Sequence, residues 1–444
     1  MAKLIGELNK FVSSEGFKRY FRNTSWLFWG KIIQMGMTFL ITAYVARYLD
    51  DDGFGLLNYA ERLGTFFVMF AALGMQSILV RNLVKDKEKR GKIIGTAIIM
   101  RMIASSVGIL GYFLALPWIP HDYQTNVLVI LVITGTIFQS FDVFDYFYQS
   151  EVKSQYTVQV RIASVLCMAA FQLVLIYMEA PLVWFGVAIL LRTTLMGIGL
   201  AGIYFAQFGS IKNLSVDPKY AVSILKDSWP LIFSDLVVIL YMTVDTIMLK
   251  FMLGDSAVGQ YSAALRFSSV WYFIGPILTG SLFPAIINAQ KKDPELYKNR
   301  LQNYYNLMVW AALAITIPMV IFGPWVLTLP FLFGERYAEA GPVLVIHIWT
   351  LVFVFLGTAS SRHLVAENQQ RMELNRTLIG AVFNVIANYL LIPRYGIIGA
   401  AYATLASQAV ASYLAYLFFP KFWYVFGMQT RAILLLDIFK KLKR

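Results

Sequence analysis

The chain has 444 residues, of which 58% are hydrophobic, 16% aromatic and only 14% charged, with a mean hydropathy of +0.63. Soluble proteins carry about 25% charged residues, so this apolar load excludes an ordinary water-soluble enzyme. The 38 Lys and Arg against 25 Asp and Glu, net +13, point to basic membrane-flanking loops rather than to nucleic acid, and the single cysteine, Cys167, excludes an internal disulfide or a thiolate metal cluster.

Residues 1–22 are polar and basic, without the short apolar core and cleavage site of a removable signal peptide, and are expected to form a cytoplasmic segment. A bilayer core of about 30 Å takes about 20 apolar residues to cross. Twelve stretches meet that length: 24–46, 59–81, 93–117, 125–149, 157–178, 181–207, 229–252, 262–288, 304–328, 341–361, 376–393 and 397–419. Backbone groups in hydrocarbon need partners within their own segment, so each stretch is predicted to be a helix. The expected fold is an all-α polytopic membrane protein, and its short connections leave no room for a water-soluble catalytic domain.

Between these stretches, 28 Lys and Arg fall on the side of the termini and six on the other: Arg47, Arg62, Lys250, Arg266, Arg336 and Arg394. The positive-inside rule then places both termini in the cytoplasm. The two halves also match at an offset of 204. Leu49, Asp51, Gly55, Ala60, Arg62 and Ser77 recur as Leu253, Asp255, Gly259, Ala264, Arg266 and Ser281. That repeat predicts two six-helix lobes of equal orientation around a central cavity, over 23–210 and 229–419, joined by a cytoplasmic linker at 211–228. The tail, 420–444, combines Trp423, Phe426, Leu434, Leu435, Ile438 and Phe439 with terminal bases, the pattern of an interfacial helix held by anionic lipid.

Four cations fall inside predicted spans: Lys31, Arg101, Arg161 and Arg192. Each costs about 2.5–3.5 kcal/mol at a helix centre, so on the order of 10 kcal/mol must be offset by water, acids or an anionic ligand. Arg101, Ser105, Gly108 and Tyr112 share one helix face, as do Lys31, Thr38 and Thr42, with Gln34 beside them. In the fourth span Gln139, Asp142, Tyr146 and Gln149 form a polar stripe with Asp145 at its edge. Arg62 and Arg266 lie at repeat-equivalent positions near the outer helix ends, extending a cationic route from the inner leaflet to the outer one. Two uses of Lys31, Arg101, Asp142 and Asp145 are open from their depth, ligand contact and structural ion pairing.

The second half carries neutral polar stripes instead: His347, Thr350 and Thr358; Asn384 and Asn388; Thr404, Gln408 and Ser412. Amides and hydroxyls suit sugars, so the expected division is an anion held by the first lobe and a glycan grazed by the second. Asp235 and Asp245 either carry a coupling ion or pair with Arg266. His347 reads as a hydrogen-bonded packing residue. Gly197-Ile-Gly-Leu-Ala-Gly202 matches a dinucleotide fingerprint by letter, but it lies within a span with no preceding strand and is read as close helix packing. The sequons at Asn23 and Asn375 face the cytoplasm in this topology and are discounted.

Several segments carry a family likeness. They are Asn23-Thr-Ser-Trp-Leu27, Val45-Ala-Arg-Tyr-Leu-Asp-Asp-Asp-Gly-Phe-Gly55, Leu73-Gly-Met75 with Arg81, Asp245-Thr-Ile-Met-Leu249 and Val258-Gly-Gln-Tyr-Ser-Ala-Ala264. Over essentially its full length the chain resembles polysaccharide flippases of the Wzx (O-antigen transporter) type, in the multidrug/oligosaccharidyl-lipid/polysaccharide exporter superfamily. It departs from them at Asp50-Asp-Asp52, where such proteins often place Leu-Gly, giving a more acidic outer turn. The resemblance implies movement of an undecaprenyl-pyrophosphate-linked oligosaccharide from the inner to the outer face of a bacterial cytoplasmic membrane, by alternating access coupled to H+ or Na+. It implies no cofactor, and as partners membrane lipids, a polysaccharide polymerase and a chain-length regulator. Lys31, Arg62, Arg101, Arg161, Arg192 and Arg266 are then the expected pyrophosphate ligands. Thr350, Asn384, Asn388 and Gln408 are the expected glycan contacts, and Asp142, Asp145, Asp235 and Asp245 the ion-coupling or gating acids. No Walker motif is present, so ATP is not the evident energy source. Two other classes compete. A multidrug antiporter would want an acidic, aromatic pocket, whereas this chain buries more bases than isolated acids. A membrane glycosyltransferase, ligase or polymerase would need a catalytic outer loop, and the longest outer loops offer only His121, Asp122, Glu335, Arg336 and Glu339.

Overall fold

The computed structural model describes residues 15–434 except 291, 292 and 368. No strand occurs among the described residues. The first half contains α1 (Glu15–Ala72), α2 (Gln76–Lys85), α3 (Arg90–Ala115), α4 (Tyr123–Gln139), α5 (Val143–Ser150), α6 (Gln155–Tyr177) and α7 (Val183–Gln207). The second contains α8 (Pro218–Leu253), α9 (Asp255–Ser269), α10 (Ile274–Gln290), α11 (Pro294–Leu327), α12 (Ala340–His347), α13 (Thr350–Ala366), α14 (Gln370–Ser412) and α15 (Trp423–Ile433).

Among the described residues, nine stretches are long and apolar enough to cross a membrane, where the sequence predicts twelve. The difference has two local causes. Ser25–Lys85 runs for 61 residues and Arg371–Ser412 for 42, about 90 and 60 Å against a core of about 30 Å. Each is broken midway by one residue at positive φ, Asp50 (φ 60°) and Gly396 (φ 59°). The predicted span 262–288 is instead cut by a 3₁₀ turn at Val270–Phe273, leaving α9 with 15 residues and α10 with 17. The apolar runs make this a multi-pass membrane protein.

Contacts sort the chain into two compact units. The first consists of the chain up to Val45 together with Ala60–Leu236, and the second joins Ala46–Tyr59 to the chain from Val237 onward.

In the first unit the core is aromatic. Phe144 lies 4.6 Å from Tyr204 between ring centroids and Phe147 lies 5.1 Å from it, while Tyr148 donates to the Leu200 carbonyl at 2.8 Å. The segment after α7 lies along the start of α3. Ser215 N–H donates to the Gly91 carbonyl at 3.4 Å, Asp217 N–H to Thr96 Oγ1 at 3.0 Å, and Lys92 pairs with Asp217. The Lys92 hydrogen bond holds the Asp217 carboxyl below the usual carboxylate range. This seat needs glycine: a Cβ at Gly91 would stand 2.0 Å from the Asn213 carbonyl oxygen, and one at Gly95 2.6 Å from that of Ser215.

In the second unit the repeat-matched positions meet each other. A Cβ at Gly55 would lie 1.8 Å from the Asp255 carbonyl oxygen, and one at Gly259 would lie 2.0 Å from that of Asp51. Residue i touching j′ while j touches i′ is the geometry of a local twofold axis. Arg336 fastens the same turn, 2.5 Å from Asp50 and 3.1 Å from Asp51. Elsewhere in this unit α15 is pinned by Gln302 donating to the Met428 carbonyl at 3.0 Å and Gln429 donating to Ser360 Oγ at 2.7 Å. Next to it, fully buried His363 stands between Tyr305 (3.1 Å) and Glu367 (3.0 Å), and Tyr424 donates to Glu367 at 2.5 Å. Burial pushes the Glu367 carboxyl up, but the hydrogen bonds from His363 and Tyr424 outweigh it and hold the group down to about 2. The basic end of the predicted tail, 435–444, and the N-terminal residues 1–14 lie outside the described residues.

Candidate functional site

The fourth predicted span does not run through as one helix. α4 stops at Gln139, residues Ser140–Asp142 form a 3₁₀ turn, and α5 resumes at Val143. A tightened turn inside a helical span re-aims its side chains and often marks a functional hinge. Neighbouring helices close on the break through glycines. A Cβ would lie 2.4 Å from the Phe138 carbonyl oxygen at Gly197, 2.7 Å from Thr193 Oγ1 at Gly135, and 2.6 Å from a Val160 methyl at Gly199. Gly197 and Gly199, two letters of the fingerprint match, are thus packing residues. Gly202 has open space beside it.

Against the break lies a hollow of about 210 Å³ within the first unit. Its polar wall comes from five elements: Gln34 of α1, Gln139 at the end of α4, Asp142 of the 3₁₀ turn, Arg161 of α6 and Arg192 of α7. These five side chains are half-buried, and they spend little of their hydrogen-bonding capacity on protein. Among the described residues neither Arg161 nor Arg192 enters a hydrogen bond or ion pair, and the side-chain amides of Gln34 and Gln139 form no hydrogen bond. Asp142 keeps 32% of its side chain accessible and has one ion-pair partner, Arg101 Nη2 at 3.7 Å. Arg161 lies within electrostatic range of both Asp142 and Lys31. Ser164 and Thr193, by contrast, turn their hydroxyls back onto carbonyls of their own helices.

Arg101 stands behind this wall. It is 1% exposed, donates from Nη1 to Tyr146 Oη at 3.0 Å, and leaves Nε without a partner. Its place is that of Asp142's counter-ion. Lys31 is exposed and does not wall the hollow, nor does Arg62, which is half-buried in the same unit. Asp145 accepts from Thr157 Oγ1 at 2.5 Å and from Gln149 at 3.0 Å.

Apart from Asp235, which lies in the first unit, the remaining candidates belong to the second unit. Arg266 donates to Asn58 Oδ1 at 3.2 Å. Asp245 is buried and accepts from Tyr261 Oη at 2.5 Å, from Thr246 N–H at 2.8 Å and from Thr404 Oγ1 at 3.4 Å. Asn384 donates to Ser407 Oγ at 3.0 Å, Asn388 to Asn384 Oδ1 at 3.1 Å, and Thr350 to the His347 carbonyl at 2.6 Å. These three and Gln408 are all buried; Asn384 and Asn388 donate within their own unit, while Asn388 Oδ1 has no partner among the described residues. His347 takes a 2.8 Å hydrogen bond with Ser268. The Asp235 side chain lies outside those described. Gln34 and Gln139 are the wall residues that sequence reasoning left without a role. Their signal was an amide inside an apolar span.

In a helical membrane protein, cations gathered around a hollow within the spanning segments mark a functional site. Comparison with known proteins gives the class. The sequence model "Polysaccharide biosynthesis protein" matches residues 20–290, and that of "Lipid II flippase MurJ" matches residues 198–440. The chain belongs to the polysaccharide biosynthesis protein family, the flippases of the multidrug/oligosaccharidyl-lipid/polysaccharide exporter superfamily. Among relatives, the probable flippase AglR of Haloferax volcanii is 30% identical over 236 residues, covering 52% of this chain and 48% of AglR, so the match spans about half of that relative. The probable low-salt glycan biosynthesis flippase Agl15 of the same organism is 24% identical over 88% of this chain and 82% of its own length. Among solved structures, the inward closed conformation of the lipid II flippase MurJ superposes with a TM-score of 0.69 at 15% identity, covering 96% of this chain and 93% of that one. At that identity the likeness concerns the fold.

Proposed function

We propose that this protein flips an undecaprenyl-pyrophosphate-linked oligosaccharide, an O-antigen or other surface-polysaccharide repeat unit, across the bacterial cytoplasmic membrane by alternating access. The topology that goes with this reading has twelve crossings in two lobes and both termini in the cytoplasm. The observation that carries it is the pair of guanidinium groups, Arg161 and Arg192, presented to one hollow without a protein partner. A guanidinium within a spanning segment is costly unless it meets water, an acid or an anion, and a chain that keeps two of them half-buried at one hollow is prepared for an anion supplied from outside. A diphosphate on a lipid is such an anion. The same two groups would repel the cationic drugs of a multidrug antiporter. Asp245, held by Tyr261 and Thr404, is the acid we assign to ion coupling, with Asp142 and Asp145 as gating acids of the first unit.

The test is genetic and biochemical together. A strain lacking the gene should accumulate lipid-linked repeat units on the inner leaflet. The wild-type gene should clear them, and Arg161→Gln and Arg192→Gln should not, although both proteins reach the membrane. Full clearance by both variants would refute the reading.

A further inference from the structure

The wall of the hollow is chemically mixed. Two guanidinium groups are donors only, but Asp142 is an acceptor and each glutamine amide is both. An anion site alone has no use for acceptors, since a carboxylate beside a phosphate costs affinity. Gln34 and Gln139 also spend none of their hydrogen-bonding capacity on protein, among the described residues, and Gln34 Oε1 is buried without a partner. Turning the Gln34 amide over therefore breaks no hydrogen bond. Val165 and Met196 give the hollow an apolar side. Free acceptors next to an apolar surface match a pyranose ring, whose hydroxyls and amides donate while its C–H face packs.

Size sets the extent. The hollow holds about 210 Å³, room for about seven waters at about 30 Å³ each. Sites for drug-sized ligands run about 300–1,000 Å³. That is about the volume of one hexose, so the hollow takes a phosphate and part of the sugar bonded to it, and it is too small for a whole repeat unit.

We propose that Gln34, Gln139 and Asp142 form a sugar subsite in the same hollow as Arg161 and Arg192, so that the first unit alone reads both the anion and the sugar directly attached to it. This rests on the anion reading of Arg161 and Arg192. It also moves glycan recognition away from Thr350, Asn384, Asn388 and Gln408, which are buried and, but for Gln408, spend hydrogen bonds on protein.

The experiment uses two probes on the purified full-length protein in detergent: farnesyl diphosphate, and farnesyl diphosphate carrying one N-acetylglucosamine. The quantity read is the ratio of their affinities. Wild type should prefer the sugar-bearing probe. Gln34→Leu and Gln139→Leu should each reduce that preference about five- to tenfold, the loss of one hydrogen bond. Arg161→Gln should weaken both probes by a similar factor and leave the ratio standing. Neither glutamine gives a hydrogen bond to the fold, so both leucine variants should fold, which the thermal midpoint checks. They sit on different helices, so either one decides the matter alone. An unchanged ratio in a folded leucine variant would overturn the sugar subsite. Unchanged affinity for both probes in Arg161→Gln would overturn the anion reading, by a different readout.

Discussion

Arg101 and Asp142 offer the sharpest quantitative test of how the first unit tolerates charge in its interior. Their closest atoms are 3.7 Å apart, Arg101 is 1% exposed, and Asp142 keeps 32% of its side chain accessible. At an effective dielectric of about 20, that separation gives a gross attraction of about 4–5 kcal/mol. Desolvation consumes much of it, so the pair adds little net stability while the loss of one partner is severe. Arg101→Met should cost about 3 kcal/mol, because it strands a carboxylate. Asp142→Asn should cost about 1 kcal/mol less, since the stranded Arg101 still donates to Tyr146 at 3.0 Å. The double variant should be more stable than the sum of the singles implies, with a coupling of about 1–3 kcal/mol. The assay is a double-mutant cycle on reversible denaturation in mixed micelles. Additive costs, within about 0.5 kcal/mol, would show that the two side chains do not interact.

Three further outcomes are expected. Arg192→Gln should raise the thermal midpoint by a few degrees while abolishing flipping, because the guanidinium meets no protein partner among the described residues; a lower midpoint with normal flipping would contradict this. Gly91→Ala should loosen the segment after α7, where the new methyl meets the Asn213 carbonyl at 2.0 Å, and should speed proteolytic cutting near 210–217, whereas Gly111→Ala, with nothing within 4 Å, should be neutral or slightly stabilising. Glu367, held down to about 2 in the fold, stabilises the packing of α15 at neutral pH. Its folded-state value lies below the unfolded one near 4.3, so this contribution is complete above about pH 5 and fades as pH falls towards 2. Glu367→Gln should therefore cost about 1–2 kcal/mol at pH 7 and about half of that at pH 3, read from denaturation midpoints; an equal cost at both pH values would exclude this role.

The membrane class and the family were legible from the sequence because they depend on quantities a chain carries locally: apolar run length, and motifs such as Val45–Gly55. Two of the positions matched at the offset of 204, Gly55 and Gly259, meet each other's matched aspartate carbonyls. The cations within apolar runs could be named from sequence for the same reason, since charge in such a run is visible without coordinates; of the four, only Arg101 is buried.

What each cation does was decided only by tertiary structure. Arg101 and Arg161 look alike in sequence, but one faces Asp142 and Tyr146 in the interior while the other opens onto the hollow. That difference comes from the 3₁₀ turn at Ser140–Asp142 and from glycines that admit α7 to it, and neither depends on the hydrophobic periodicity of any one helix. The helix count departed from expectation for a related reason: Ser25–Lys85 and Arg371–Ser412 each join two predicted spans across a single residue at positive φ, Asp50 or Gly396, and the 3₁₀ turn at Val270–Phe273 cuts a third span below spanning length. The polar stripes of the second unit show the same limit. Sequence shows that Asn384 and Asn388 share a face, but only packing shows that each spends a hydrogen bond on a neighbour of its own unit.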